Sequence, residues 1–381
     1  MIANPAAGVY SLARRGKEQV KLRRSPRHLL GLLVAALLIA GIYIGSRGLR
    51  DFDPALVPYA GASVFAAFGI GYRYSMWLQR PPTRMYWFRG WQVFLRPSKI
   101  PGNMVRWVKL LLKEILAQNF IRNRSRVRWA SHWFISWGCL LAAAITFPLS
   151  FGWVRFETAR NSQEIYDAYV FGIHLSSFRL GTPMALLAFN VLDIAAVMVL
   201  IGLFFAVWRR ARDRSALAEQ QFSQDLLPLV MLFAICITGL LLTVSTHLLR
   251  GAHYLFLAEL HAVAVILTLV YLPFGKFFHL FQRPAQLGVD FYKHEGATGT
   301  RALCVRCGQD YASLMHIDDL KQVEAQLGIR YRLKDGTHYQ NVCPACRRKN
   351  LGLTQDALWH AAGRGPVEPP QPEVLSAQKG A

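Results

Sequence analysis

The sequence predicts an all-α integral membrane protein, a six-helix transmembrane bundle followed by a small cytoplasmic metal-binding ribbon domain. Three observations carry that prediction. First, 53% of the 381 residues are hydrophobic and only 17% charged, with a mean hydropathy of +0.23. The apolar residues collect into six runs near 29–46, 56–77, 131–154, 184–208, 226–249 and 252–278, each about long enough as a helix to cross a hydrocarbon core of roughly 30 Å. Second, the last run, within ELHAVAVILTLVYLPFGKFFHLFQRP, carries His261 and His279 eighteen residues apart. Third, Cys304, Cys307, Cys343 and Cys346 form two C-x2-C pairs separated by thirty-five residues.

The formal charge of +22 would suggest a nucleic-acid partner for a soluble protein, but its distribution follows topology. Seven Lys/Arg precede the first run, twelve lie in 78–130 and four in 209–225, against two, three and one in 47–55, 155–183 and 250–251. The excess of positive charge on alternate loops predicts a multi-pass protein of the cell inner (plasma) membrane with both termini cytoplasmic, and excludes nucleic acid as the partner. Met1 to Arg27 is polar and basic, and no small-residue cleavage site follows the first apolar run, so no cleavable signal peptide is expected.

Residues 1–28 read as a basic cytoplasmic arm anchoring the first span to anionic lipid. The first two spans hold no His, Asp or Glu, and their Gly and Ala suit close helix packing. In the loop 78–130, Val105, Val108, Leu111, Leu112, Ile115 and Leu116 fall on one helical stripe flanked by Lys109 and Lys113. This predicts an amphipathic helix on the cytoplasmic surface, able to lie on lipid or to dock a soluble partner.

Span three opens with RNRSRVRWASHWFISWG, so His132 enters the membrane at the cytoplasmic edge. Eighteen residues make five helical turns, which places His261 and His279 on one face of the last span about 27 Å apart, one per leaflet. Imidazoles in a membrane need partners, which are either neighbouring helices or a metal. Axial ligation of b-type haem fits, because histidine is a common haem ligand and helix bundles hold cofactors between facing helices. His132 and His279 share a depth and form the expected trans-axial pair, with Arg126 and Arg128 available for propionates.

These residues carry a family resemblance. Spans two to six, about 56–284, resemble the five-span cytochrome b gamma subunit of respiratory nitrate reductase and related membrane subunits of heterodisulfide and sulfite-reduction complexes. The matching features are the arginine-rich approach to HWFISWG, the two histidines of the last span and the exit LPFGKFFHLFQRP. The resemblance implies a five-span haem b core plus one extra N-terminal span, electron exchange with a quinone or quinol, and cytoplasmic iron–sulfur and molybdenum-containing catalytic subunits as partners. The chain departs from that pattern where an early helix supplies a second ligand: the corresponding position is Ala142. A partner for His261 must then come from His174, His247 or His253. His174 is preferred, because VFGIHL is apolar enough for its loop to fold back into the bundle mouth whereas His253 lies only eight residues from His261 on the same helix, and a single haem is the alternative to two.

The outer segment 155–183 contains Tyr166, Asp167, Tyr169 and Arg179. A quinol site there would need an apolar slot and a proton acceptor, for which His174, Asp167 and Glu164 are candidates. Asp193, in FNVLDIAA, is a carboxylate inside span four and a candidate for a proton path or a ligand-orienting bond. Cys139 and Cys236 fall within spans and read as small apolar fillers.

After Pro284 the remaining four cysteines define a ribbon domain over 300–350. Disulfides are rare on the cytoplasmic side, so tetrahedral S4 ligation is the better account. Zinc is expected before a rubredoxin-like iron, because the second knuckle ends in Arg347, Arg348 and Lys349 instead of glycine. Residues 351–381 are proline-rich toward their end and read as disordered. The expected function is a quinone-reactive membrane cytochrome b, the electron-transfer subunit of a quinol-dependent oxidoreductase. A transporter, or a haem-free membrane-tethered zinc-ribbon interaction protein, are the alternatives.

Overall fold

The computed structural model describes residues 27–159, 162–212, 221–333 and 335–363. The basic arm up to residue 26, the segment 213–220 and the tail from residue 364 lie outside the described residues. The chain divides into two compact units, one over Leu22–Phe291 and one including Tyr292–Ala381.

The first unit is mostly helical. Helices α1 (Arg27–Gly45) and α2 (Val57–Leu78) precede two shorter ones, α3 (Pro81–Phe94) and α4 (Ile100–Leu110). A π-helical turn Leu111–Leu116 and the short α5 (Asn119–Arg122) lead into α6 (Arg126–Ser150). Then come α7 (Pro183–Arg212), α8 (Leu227–His247) and α9 (Tyr254–Tyr271). Six of these, α1, α2, α6, α7, α8 and α9, are long and apolar enough to cross a membrane. Their apolar side chains stay outside the bundle, as with Leu37, Phe204, Phe233 and Leu267 at 52–64% exposure, which is the arrangement lipid would cover.

Packing runs from α1 to α2, α2 to α9, α9 to α8, α8 to α7 and α7 to α6. Among the described residues no comparably packed pair joins α6 to α9. Small residues set the closest crossings. A Cβ on Gly71 would lie 2.9 Å from the Leu30 carbonyl, and Ser131 Oγ donates to the Gly202 carbonyl across α6 and α7 at 2.9 Å.

Two expectations are corrected. The segment 155–183 is not a loop folding into the bundle mouth but a three-stranded antiparallel sheet, β1 (Val154–Thr158), β2 (Ile165–Val170) and β3 (Ile173–Arg179), in that order. Its residues are rich in β-branched and aromatic types, and one face buries Ala168 and Phe178 against Ala185. The last span is also not one helix through residue 278. It ends at Tyr271, and His279 opens a new helix, α10 (His279–Thr298), after a single 3₁₀ turn Lys276–Phe278. Pro273 and Gly275 lie in this break, and neither supports an uninterrupted helix.

The second unit contains a hairpin of β4 (Arg301–Leu303) and β5 (Asp310–Ser313), α11 (Leu314–Gln326) and α12 (Pro344–Ala361). Helix α12 runs eleven residues past the expected start of disorder at 351, because Leu351–Ala361 holds no proline and only one glycine.

Candidate functional site

The break between α9 and α10 is built into a socket on α2. A Cβ on Gly69 would lie 2.7 Å from Pro273 Cγ, so only glycine admits the proline there. One turn further along α2, Arg73 Nη1 donates to the carbonyls of Pro273 at 2.5 Å and Gly275 at 3.1 Å. Its guanidinium also lies 4.4 Å from the centre of the Phe278 ring. The carbonyls that a broken helix leaves unpaired are thereby satisfied, and the chain turns so that His279 starts the next helix. Lys276 in the turn is held by an ion pair to Asp225.

This turn brings His279 to His132 of α6, with ring centroids 6.1 Å apart and planes at 61°. In both rings Nδ1 is already engaged. His132 Nδ1 lies 2.8 Å from Gln118 Oε1, and His279 Nδ1 lies 2.5 Å from the Lys276 carbonyl. Both partners are acceptors, so Nδ1 is the donor in each ring and Nε2 is left out of these bonds. That is how a metal-binding histidine is normally held. Two imidazoles this close, each bonded through Nδ1, are a donor set that would suit a histidine-ligated iron such as haem b.

The positive charge nearest this pair differs from the expectation. Arg126 and Arg128 are exposed, whereas Arg283, four residues after His279, is partly buried with its guanidinium 4.4 Å from the Phe120 ring centre. Burial, with Arg124 adding repulsion, lowers the pKa of Arg283, whose Nη1 donates to Gln286 Oε1 at 2.9 Å.

His261 sits mid-way along α9. Its Nδ1 lies 2.9 Å from Thr238 Oγ1, which itself donates to the Ala234 carbonyl at 2.7 Å, so the His261 proton is on Nδ1 as well. A Cβ on neighbouring Gly239 would lie 3.3 Å from the His261 ring. His174 is not turned toward the bundle. It is exposed on β3, with Nε2 3.0 Å from Ser177 Oγ and 3.5 Å from Asp167. Ser177 in turn donates to Asp167 at 2.6 Å, and Glu164 is paired with Arg179. His247 and His253 are exposed at the turn joining α8 to α9. Asp193 accepts a hydrogen bond from Thr243 at 2.8 Å.

The four cysteines of the second unit converge, with all four Sγ atoms within 4.8 Å of one another. Cys304 directly follows β4, Cys307 lies in the turn after it, Cys343 caps α12 and Cys346 lies in its first turn. Cys307 and Cys343 sulfurs are 3.8 Å apart, the edge expected for a tetrahedron with metal–sulfur bonds of about 2.3 Å. Backbone N–H groups of Cys343 and Cys346 donate to Cys304 and Cys343 sulfur at 3.2 and 3.4 Å. Burial pushes the Cys304 thiol up, but N–H groups of Cys343, Cys307 and Arg306 together outweigh it and bring it down to about 6. Val342, fully buried, backs the site. Four thiolates at this spacing are compatible with zinc or iron.

Arg73, Gln118 and Arg283 were not singled out by the sequence reading. Each lies among apolar or basic neighbours where neither charge nor periodicity marks it, although Arg73 inside an apolar run is a signal in its own right. Comparison with protein-family models, with curated proteins and with solved structures gives no match for this chain.

Proposed function

We propose that this chain is a membrane-spanning b-type cytochrome that takes electrons from, or gives them to, a quinone and exchanges them with a cytoplasmic iron–sulfur and catalytic partner, as a nitrate reductase gamma subunit does. The observation that carries the reading is the His132–His279 pair, held 6.1 Å apart with both Nδ1 protons spoken for. Haem, when bound there, supplies a one-electron couple. The protein's part is to present two imidazoles from α6 and α10, each bonded through Nδ1, and to offer Arg283 to a propionate. Zinc is the metal proposed for the four-cysteine site, as a structural centre.

A reduced-minus-oxidised spectrum with pyridine-haem quantification of the purified protein tests this directly. At least one low-spin haem b per chain is expected, and His132→Ala and His279→Ala each abolish the same one. A colourless protein, or a normal low-spin spectrum in both variants, overturns the reading. One haem lost on His132→Ala and unaffected by His261→Ala leaves His261 with Thr238 as a structural pair.

A further inference from the structure

The three residues before α5 are bound one after another to α6. Trp137 Nε1 donates to the Leu116 carbonyl at 3.2 Å, Trp129 Nε1 donates to the Ala117 carbonyl at 2.8 Å, and Gln118 Oε1 faces His132 Nδ1 at 2.8 Å. Trp129, Trp133 and Trp137 form a continuous aromatic row on α6, and His132 lies beside it. The strap is delivered by the π-helical turn Leu111–Leu116, whose wide last step is closed by Ala117 N–H to the Leu112 carbonyl at 2.9 Å. Such turns are uncommon and concentrate at functional sites.

Gln118 itself is unusual in two respects. Its backbone is left-handed, at φ 53° and ψ 41°, which costs a residue with a Cβ about 1 kcal/mol. The residue is also only 4% exposed, and burying an amide is unfavourable unless it is bonded. Capping α5 accounts for the backbone, since Gln118 carbonyl accepts from Ile121 and Arg122. It does not account for a buried amide aimed at His132.

We propose that Gln118 is the positioning residue of His132: its amide oxygen holds the Nδ1 proton so that Nε2 faces His279, and the two indole-bound carbonyls hold Gln118 in place. This rests on the reading of His132 as an iron ligand. Accepting the Nδ1 proton raises the basicity of Nε2 and favours the ferric state. The strap is preceded by α4, which exposes Met104, Val105 and Val108 and is tied to α10 through Arg106 and Asp290 at 2.7 Å.

The test is a redox titration of the purified holoprotein with Gln118→Leu, Gln118→Glu, Trp129→Phe and His132→Ala. Gln118→Leu keeps the volume and removes the acceptor, so the midpoint potential should rise by the equivalent of a tenfold change in the ferric/ferrous ratio, about 59 mV for one electron. Gln118→Glu strengthens the acceptor and should lower it, and this variant remains informative if the leucine does not fold. Trp129→Phe should move the potential in the same direction as leucine and by less. Loss of haem in His132→Ala with unchanged midpoints in the Gln118 variants, or shifts of one sign in both, overturns the proposal while leaving the ligand reading intact. Full haem retention in His132→Ala overturns the ligand reading itself.

Discussion

A carboxylate with its side chain 1% exposed persists as an anion only where its charge is answered, and Asp51 is answered twice. Arg47 grips it with two bonds of 2.6 Å, and Arg155 of β1 adds a third at 2.7 Å. Arg155 is further held 4.7 Å over the Tyr169 ring of β2, so one ionised group ties the α1–α2 turn to the sheet. The Arg47 bond, with Arg155 adding to it, holds the Asp51 carboxyl below its ordinary value. A carboxyl whose folded pKa is depressed contributes stability that is complete above the unfolded value of about 3.9 and is lost as pH falls through the lower folded value. Thermal unfolding in detergent should therefore show a drop in midpoint below about pH 4 that Asp51→Asn abolishes. At neutral pH the same variant should cost about 2 kcal/mol, less than the roughly 3–5 of a fully buried pair because solvent screens the half-exposed Arg47. An unchanged acid profile in Asp51→Asn would assign the acid sensitivity elsewhere. Neither Asp51 nor its partners stood out in the sequence, since a short turn rich in charge reads the same whether its charges are paired or solvated.

At the level of elements, the six apolar helices were legible because each is a long run of one character, and length alone separates such runs from loops. Their ends were legible to within a few residues, except for the last. There the run LVYLPFGKFF keeps its apolar character through Pro273 and Gly275, so composition gives no sign that the helix stops at Tyr271. The stop depends on α2: Gly69 leaves room for Pro273, and Arg73 satisfies the carbonyls that proline and the turn set free. Arg73→Met should leave those two acceptors unpaired at about 1–3 kcal/mol each, lowering the unfolding midpoint and weakening haem retention together. Gly69→Leu should do the same by displacing Pro273. If either variant keeps wild-type stability, the socket does not hold the break. The sheet was missed for a different reason. Segment 155–183 was weighed as a binding loop, although its β-branched and aromatic stretches, set off by Gly152, Gly172 and Gly181, carry the ordinary marks of strands and turns. The cysteine knuckles, by contrast, were readable by spacing alone, because two C-x2-C pairs bring four sulfurs together in few ways.

For the whole molecule, the division into a helical unit and a four-cysteine unit predicts that the two fail separately. Thiolate sites couple metal binding to folding, so Cys304→Ser should lose one metal per chain and open 300–350 to protease while the haem spectrum stays unchanged. Elemental analysis should find zinc, and rubredoxin-like absorbance after haem removal would make the site an electron relay instead. The direction in which the chain faces decides the electron route. Basic residues gather in 78–130 and 209–225, at the end of the bundle where α6 begins and α9 stops, and His132 and His279 meet there. The sheet lies after α6, at the other end, with few basic residues around it. If the basic end is cytoplasmic, as positive charge predicts, a soluble redox partner docks beside His132 and His279. On the function proposed above, quinone would then react on the His261 side, and quinol oxidation there would release protons outside while electrons move inward, so that turnover would build a membrane potential. Labelling in intact cells with a membrane-impermeant thiol reagent checks this. In a background whose native cysteines do not react, a cysteine placed at Ser162 should be modified from outside and one at Ser215 only after lysis. Modification of the second but not the first would invert the topology, put the histidine pair on the outer side, and require the soluble partner to be sought there.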